Sequence, residues 1–247
     1  SYMVVEGRNQ GQYYPDYAYR HPLFSPGMRI YSDSTVSKFL SSVKDEQIAG
    51  FLNDWNTDRD HKSRIYVSYD STNKNCQAGD VDFVEFGKAK VDLGLPIFNV
   101  GLAMDQNNRI PLFYELYPGS INDVSQFKFM VDKAVGYGYK NIGFIIDRGY
   151  FCKANIRYMD KKNYGFVMMV KGCKPLVCAI IDEHRGTFET RRACSIAGHH
   201  IHGTTVKRKL FPDDERERYL HLFFSPVKMM KERCRLEDEI EQMQRLI

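Results

Sequence analysis

Five short runs of apolar, β-branched and aromatic residues predict strands along the middle of the chain. They span residues 65–70, 97–104, 109–117, 142–147 and 164–170. The second and third runs are joined by residues 105–108, in which two asparagines tolerate the left-handed backbone of a hairpin turn. The first three strands are therefore expected to form an antiparallel meander.

Apolar residues at helical spacing predict helices before, between and after these strands. Residues 34–55 repeat apolar positions at intervals of three and four, and a break near Asp45 divides them into two helices. Residues 122–135 form a further helical pattern, with a polar cap at its start and two glycines after its end. Another helix is predicted from about residue 153 to residue 162.

The order of these elements is three antiparallel strands followed by helix, strand, helix and strand, which is the order of the ribonuclease H-like fold. We therefore expect an α/β protein with a mixed sheet flanked by helices. In this fold the first strand is central and the fourth lies parallel beside it, so the ends of both strands meet. Residues 73–94, between the first two strands, are polar and are expected to form a flexible excursion.

The alternation weakens past the fifth strand, where we expect a β-rich insertion. Its predicted elements are short strands at residues 177–181, 187–193 and 219–224, a loop-rich stretch at 199–202, and a charged amphipathic helix at 226–247. Residues 1–31 lack a clear period and are expected to form an extended arm or a loop-rich lead-in. The expected domains are an N-terminal arm and helical lead-in at residues 1–60, a catalytic core at 61–170, and a partial insertion domain at 171–247.

The composition limits the cellular setting more than it limits the activity. No apolar run approaches the roughly 20 residues of a membrane-spanning helix, and the first residues lack the features of a secretory signal. Six scattered cysteines favour reduced thiols over a disulfide scaffold. We expect a cytoplasmic protein with no membrane partner. The net charge of +4 does not by itself identify nucleic acid as the partner.

The candidate chemistry lies at two strand ends. Asp70 ends the first predicted strand and Asp147 ends the fourth, so the expected topology makes them neighbours although 77 positions separate them (147 − 70). Two adjacent carboxylates repel each other, and a divalent cation between them removes that conflict. Mg²⁺ takes one or two protein carboxylates and keeps water or phosphate as its other ligands. For each aspartate taken alone, the alternative is a capping role in a turn.

Three motifs resemble those of DDE transposases encoded by bacterial insertion sequences. They lie at residues 69–73, 118–123 and 146–150. The segments at 21–24, 31–35 and 51–55 are also similar to the sequence that precedes the first catalytic aspartate in those proteins. The resemblance covers roughly residues 20 to 247.

The resemblance implies a role for each matched residue. Asp70 and Asp147 would be the first two members of a catalytic triad that binds two Mg²⁺ or Mn²⁺ ions, and Asn122 and Asp123 would support the geometry of the site. The third acid in these relatives is a glutamate in a later helix that also bears tyrosine, arginine and lysine. Since no such series occurs before Ile247, we expect the third acid beyond it and an incomplete, inactive fragment.

The function expected of the full-length parent is cleavage at the ends of a transposable element and strand transfer into target DNA. Such an enzyme would act as a homodimer in a synaptic complex within a bacterial cytoplasm. Basic residues that could contact DNA phosphates are Arg148, Lys171, Lys174, Arg191, Arg192, Lys207, Arg208 and Lys209. Two alternatives remain: a metal-free DNA-binding or assembly protein of the same fold, and a ribonuclease H-like nuclease.

Overall fold

The computed structural model describes residues 2–7, 11–21, 30–60 and 62–245. The chain divides into two compact units, Ser1–Met169 and Val170–Ile247. Within the described ranges, no helix is both long enough and apolar enough to cross a membrane.

Among the described residues, four α-helices precede the sheet. Their bounds are α1 (Tyr2–Val5), α2 (Tyr14–Arg20), α3 (Asp33–Ser41) and α4 (Asp45–Thr57). The predicted division of residues 34–55 at Asp45 is confirmed, and the Ser32 hydroxyl caps α3 by accepting from the Thr35 amide. The prediction of an extended arm is wrong for the described part of residues 1–31, because α2 buries Tyr17 and Ala18. Residues 8–10 and 22–29 of that predicted arm lie outside the described residues.

A five-stranded mixed sheet forms the centre of the first unit. Its strands are β1 (Ile65–Asn75), β2 (Ile97–Asp105), β3 (Ile110–Pro118), β4 (Ile142–Ile146) and β5 (Gly165–Met168). The strand order is β3-β2-β1-β4-β5. The first three strands pair antiparallel, whereas β4 pairs parallel with both β1 and β5. The predicted meander, the central position of β1 and the ribonuclease H-like order are all confirmed.

Two helices connect the later strands and supply the core of this unit. They are α5 (Asp123–Gly136) and α6 (Lys153–Lys161). Helix α5 buries one apolar stripe, made of Phe127, Met130, Val131 and Ala134, and the ring of Phe127 packs edge-on against that of Phe144 on β4. This packing fixes α5 against the strand that leads to Asp147.

The segment between β1 and β2 is held in place by side chains of β1, so the prediction of a flexible excursion is wrong. The Asn73 amide group donates to the Lys88 carbonyl and accepts from the Lys90 amide, both at 3.0 Å. Asn75 makes the same pair of bonds with Asp92, at 2.7 and 3.1 Å. Strand β1 therefore continues five residues past Asp70 and serves as a support for residues 88–92.

The second unit combines two helices with a small antiparallel sheet. Its elements are α7 (Lys174–His184), β6 (Ser195–Ile196), β7 (Ile201–Arg208), β8 (Arg218–Phe224) and α8 (Pro226–Gln244), and its strand order is β6-β7-β8. The strand predicted at residues 219–224 and the terminal helix are confirmed.

Three predictions in this unit are wrong. Residues 177–181 lie inside α7, because Pro175 at a helix start favours a helix for this short apolar run. Residues 187–193 form turns and the start of a 3-10 helix. The stretch at 199–202 is loop only at its first two residues, since Ile201 begins β7.

Candidate active site at the ends of two parallel strands

The parallel pairing of β1 with β4 runs up to the residues that immediately precede Asp70 and Asp147. The parallel register runs from Ile65 opposite Ile142 to Tyr69 opposite Ile146, so the next pair in the same register is Asp70 and Asp147. Paired residues of parallel strands point to the same face of the sheet, and neighbouring strands lie about 4.8 Å apart. Both side chains are exposed. This register supports the expected convergence of the two acids, which remains a prediction.

Each carboxylate is oriented by a neighbouring backbone amide. Asp70 Oδ1 accepts from the Ser71 amide at 2.8 Å. Asp147 Oδ2 accepts from the Gly149 amide at 3.3 Å and thereby caps the 3-10 helix Arg148–Tyr150. The capping alternative is therefore partly correct for Asp147. Capping uses one oxygen atom of that carboxylate, which leaves the other for a cation.

A buried polar contact holds the strand residue that precedes Asp70. The Tyr69 hydroxyl donates to Glu115 Oε2 at 3.2 Å, and the Gln126 amide donates to the same oxygen at 3.0 Å. The ring of Tyr69 packs against that of Tyr150, with 5.5 Å between centroids. Burial is the main cause that raises the pKa of both tyrosines, so they stay neutral at physiological pH.

Asn122 and Asp123 fix the start of α5 near this network. Asn122 Oδ1 accepts from the Ser125 amide at 3.0 Å, which makes Asn122 the N-cap of the helix. Asp123 Oδ1 accepts from the Tyr117 hydroxyl at 2.7 Å. Burial and this bond raise the pKa of Tyr117. These contacts fit the predicted supporting role, which remains a prediction.

One cation near the aspartates was not predicted. Lys90 Nζ donates to the carbonyl of Ser71, the residue after Asp70, at 3.0 Å. Sequence reasoning missed Lys90 because it lies 20 residues further along the chain in a segment expected to be flexible. The alternation of Asn73 and Asn75 at the end of β1 was the available signal for an ordered segment.

The predicted DNA-contacting residues fall into both units. Arg148 is exposed in the first unit beside Asp147. The other seven belong to the second unit, and all of them except Arg208 are exposed: Lys171, Lys174, Arg191, Arg192, Lys207, Arg208 and Lys209. Arg208 donates to both carboxylate oxygens of Glu183 at 2.9 Å, so this guanidinium is already paired. Of the eight basic residues predicted to contact DNA, Arg208 therefore has the least structural support.

Three of the five acidic residues of the terminal helix form ion pairs along the helix surface. Three arginine–glutamate pairs lie one turn apart, and they join Arg233 to Glu237, Arg235 to Glu239, and Arg245 to Glu241. Such exposed pairs are typical of a solvated helix face. This pattern agrees with the expectation that α8 does not supply the third catalytic acid.

The carboxylates of Asp70 and Asp147 fit a hard divalent cation. Two exposed carboxylates side by side are the protein ligands that Mg²⁺ or Mn²⁺ accepts when water and phosphate complete its shell. Among the described residues, no group of three or more His, Cys, Asp and Glu side chains is close enough to hold a metal. The two aspartates thus form a pair to which the described residues add no third protein ligand.

Strand order and site together define a ribonuclease H-like domain with one acid inside β1, Asp70, and one immediately after β4, Asp147. The model of the transposase DDE domain family matches residues 69–221, which is more than half of the chain. The chain belongs to this family. No curated protein matches it by sequence.

Three transposase assemblies are among the solved structures to which the chain is similar. A piggyBac transposase synaptic complex with hairpin DNA shares 10% identity at a TM-score of 0.35, over 64% of this chain and 32% of that chain. A pre-cleavage Mos1 transpososome shares 11% identity at a TM-score of 0.29, over 74% of this chain and 63% of that chain. A Drosophila P element transposase strand transfer complex shares 14% identity at a TM-score of 0.35, over 68% of this chain and 40% of that chain. The chain spans less than two thirds of each of these proteins.

Proposed function

We propose that this chain is the catalytic core of a DNA transposase in which Asp70 and Asp147 hold Mg²⁺ or Mn²⁺. The full-length protein would hydrolyse a phosphodiester at the end of a transposable element and then join the freed 3′-hydroxyl to target DNA. The observation that supports this proposal is the register of β1 and β4, whose last pair, Tyr69 and Ile146, immediately precedes the two exposed aspartates. Membership in the transposase DDE domain family supports it.

Each residue of the site has a defined task in this proposal. Asp70 and Asp147 each offer one carboxylate oxygen that is not engaged by the neighbouring amide bonds described above. These two carboxylates would hold the divalent cation, which would supply Lewis-acid polarisation of the scissile phosphate and activation of the attacking oxygen. Tyr69 and Glu115 keep the strand end rigid, so the carboxylates need little reorganisation when the cation binds. Asn122 and Asp123 position the start of α5.

The partners follow from this chemistry and remain part of the proposal. They are element-end DNA, target DNA and a second copy of the protein in a synaptic complex, in a DNA-associated cytoplasmic protein of bacterial origin. The prediction that the third acid follows Ile247 is also kept as a prediction. We expect the 247-residue chain to bind metal and DNA without completing strand transfer.

The test is calorimetric titration of the chain with Mn²⁺. We expect the Asp70→Asn and Asp147→Asn variants each to weaken binding on the order of 100-fold or more, because each removes an anionic oxygen ligand. Asp54→Asn is the matched control, since Asp54 is an exposed aspartate on α4. Equal Mn²⁺ affinity in the wild type and both site variants would favour the metal-free DNA-binding alternative and end the proposal.

A longer gene product distinguishes the two nuclease hypotheses. Its cleavage of element-end duplex, unrelated duplex and an RNA–DNA hybrid is compared with Mg²⁺ present. The transposase hypothesis predicts preferential nicking at the element end. Preference for the hybrid would instead identify a ribonuclease H-like nuclease.

A further inference from the structure

The segment at residues 88–92 is built against the end of β1, directly beyond the aspartate pair. Strand β4 ends at Ile146, opposite Tyr69, whereas β1 continues to Asn75. The amide groups of Asn73 and Asn75 bind the backbone of this segment through the four hydrogen bonds described above. These hydrogen bonds therefore hold residues 88–92 against the last residues of β1.

The same segment places an ammonium group beside the catalytic edge. Ala89 is buried, with 8% of its surface exposed, and Lys90 follows it with an exposed side chain. Lys90 Nζ donates to the Ser71 carbonyl at 3.0 Å, and Ser71 is bonded directly to Asp70. The ammonium group of Lys90 thus contacts the backbone of the residue that follows Asp70, and the segment that carries it is held by the Asn73 and Asn75 side chains.

We propose that Lys90 binds a phosphate of the DNA strand that lies along the Asp70–Asp147 edge. An ammonium group carries three N–H donors, and the Ser71 carbonyl takes one of them. A compact point charge on a flexible stem is suited to phosphate oxygens. This inference rests on the proposed function, because it assumes that DNA approaches the two aspartates.

A purely structural role is the competing explanation, in which Lys90 only ties its segment to β1. The Lys90→Gln variant separates the two roles, since a glutamine amide can still donate to the Ser71 carbonyl but carries no charge. The Lys90→Arg variant keeps the charge and the donors. Lys140→Gln is the matched control, because Lys140 is an exposed lysine that precedes β4, at the end of this strand opposite to Asp147.

The experiment measures binding of duplex DNA of random sequence by fluorescence anisotropy over a range of salt concentrations, with Ca²⁺ in place of Mg²⁺. Each phosphate contact adds about 0.9 to the slope of log K against log salt for duplex DNA. We expect Lys90→Gln to lower that slope by about 0.9. Lys90→Arg should restore the slope, and Lys140→Gln should leave it at the wild-type value.

The outcomes separate this inference from the proposed function. If the wild-type chain binds DNA and Mn²⁺, but Lys90→Gln keeps the wild-type salt slope, the phosphate contact is refuted and the transposase proposal stands. If Lys90→Gln also loses Mn²⁺ binding, Lys90 acts by positioning the carboxylates, which again refutes the phosphate contact. If the wild-type chain does not bind DNA at all, both the inference and the proposed function are wrong.

Discussion

Burial favours the neutral form of several tyrosine hydroxyls in the first unit. Tyr69, Tyr117 and Tyr150 all have pKa values raised chiefly by burial. Burial also raises the pKa of Tyr139, from 10.0 to about 12. The Tyr139 hydroxyl donates to Asn56 Oδ1 at 2.8 Å. The fold therefore disfavours the tyrosinate forms of all four residues.

Alkaline pH should consequently destabilise the fold. Because the folded pKa of Tyr139 exceeds its unfolded value, its contribution is complete below pH 10 and is lost as pH rises through about 12. Tyr139→Phe should remove a part of this loss that amounts to about 1 kcal/mol near pH 11. The measurement is urea unfolding of both proteins at neutral pH and near pH 11. Parallel losses of stability in wild type and variant would contradict this assignment.

The two aspartates could be predicted from the sequence because each follows a run of strand-forming residues. Their proximity followed from element order alone, since a one-residue error at a strand end still leaves the strands adjacent. Glu115 and Lys90 could not be found in this way. Their positions depend on which side chains meet across the sheet and on the path of a 21-residue connection (residues 76–96). Neither property is encoded in local periodicity.

Helix α4 is attached to the sheet by polar contacts as well as by apolar packing. The buried Asn56 amide donates to the Leu52 carbonyl on the same helix and to the Leu112 carbonyl on β3, at 2.7 and 2.9 Å. The neighbouring Trp55 indole donates to the Pro111 carbonyl at 2.7 Å. These bonds fix the position of α4 along β3.

Removal of the Asn56 side chain should therefore loosen this helix. Asn56→Ala leaves two carbonyls and the Tyr139 hydroxyl without this partner, which should cost about 3 kcal/mol of stability. Asn53→Ala is the control, because Asn53 is exposed on the same helix, and its cost should be about 0.5 kcal/mol or less. Chemical denaturation measures both values. Equal costs for the two variants would show that the Asn56 contacts do not determine stability.

Helices and strands were predicted correctly where the hydrophobic periodicity and the turn or capping residues indicated the same element. The helices of residues 33–57 and the hairpin of β2 and β3 are examples. Prediction failed for β1, whose polar second half was read as loop although β2 pairs with it as far as Asn75. It failed for α7 because a short apolar run is compatible with either a helix or a strand. In each failure a tertiary contact or a single proline determined the structure.

At the scale of the molecule, the candidate chemistry is confined to the first unit. Asp70, Asp147, Lys90 and Arg148 all lie within Ser1–Met169. Seven of the eight basic residues predicted to contact DNA lie in the second unit. The domain boundaries predicted from the sequence remain predictions. The family match extends over both units.

If Asp70 and Asp147 share a divalent cation, an anomalous difference map from crystals grown with Mn²⁺ will show it. We expect a peak between the two carboxylates, with an oxygen atom of each at about 2.1 Å. A map in which the aspartates lie on opposite faces of the sheet, or in which Mn²⁺ occupies other residues and avoids this pair, would contradict this expectation.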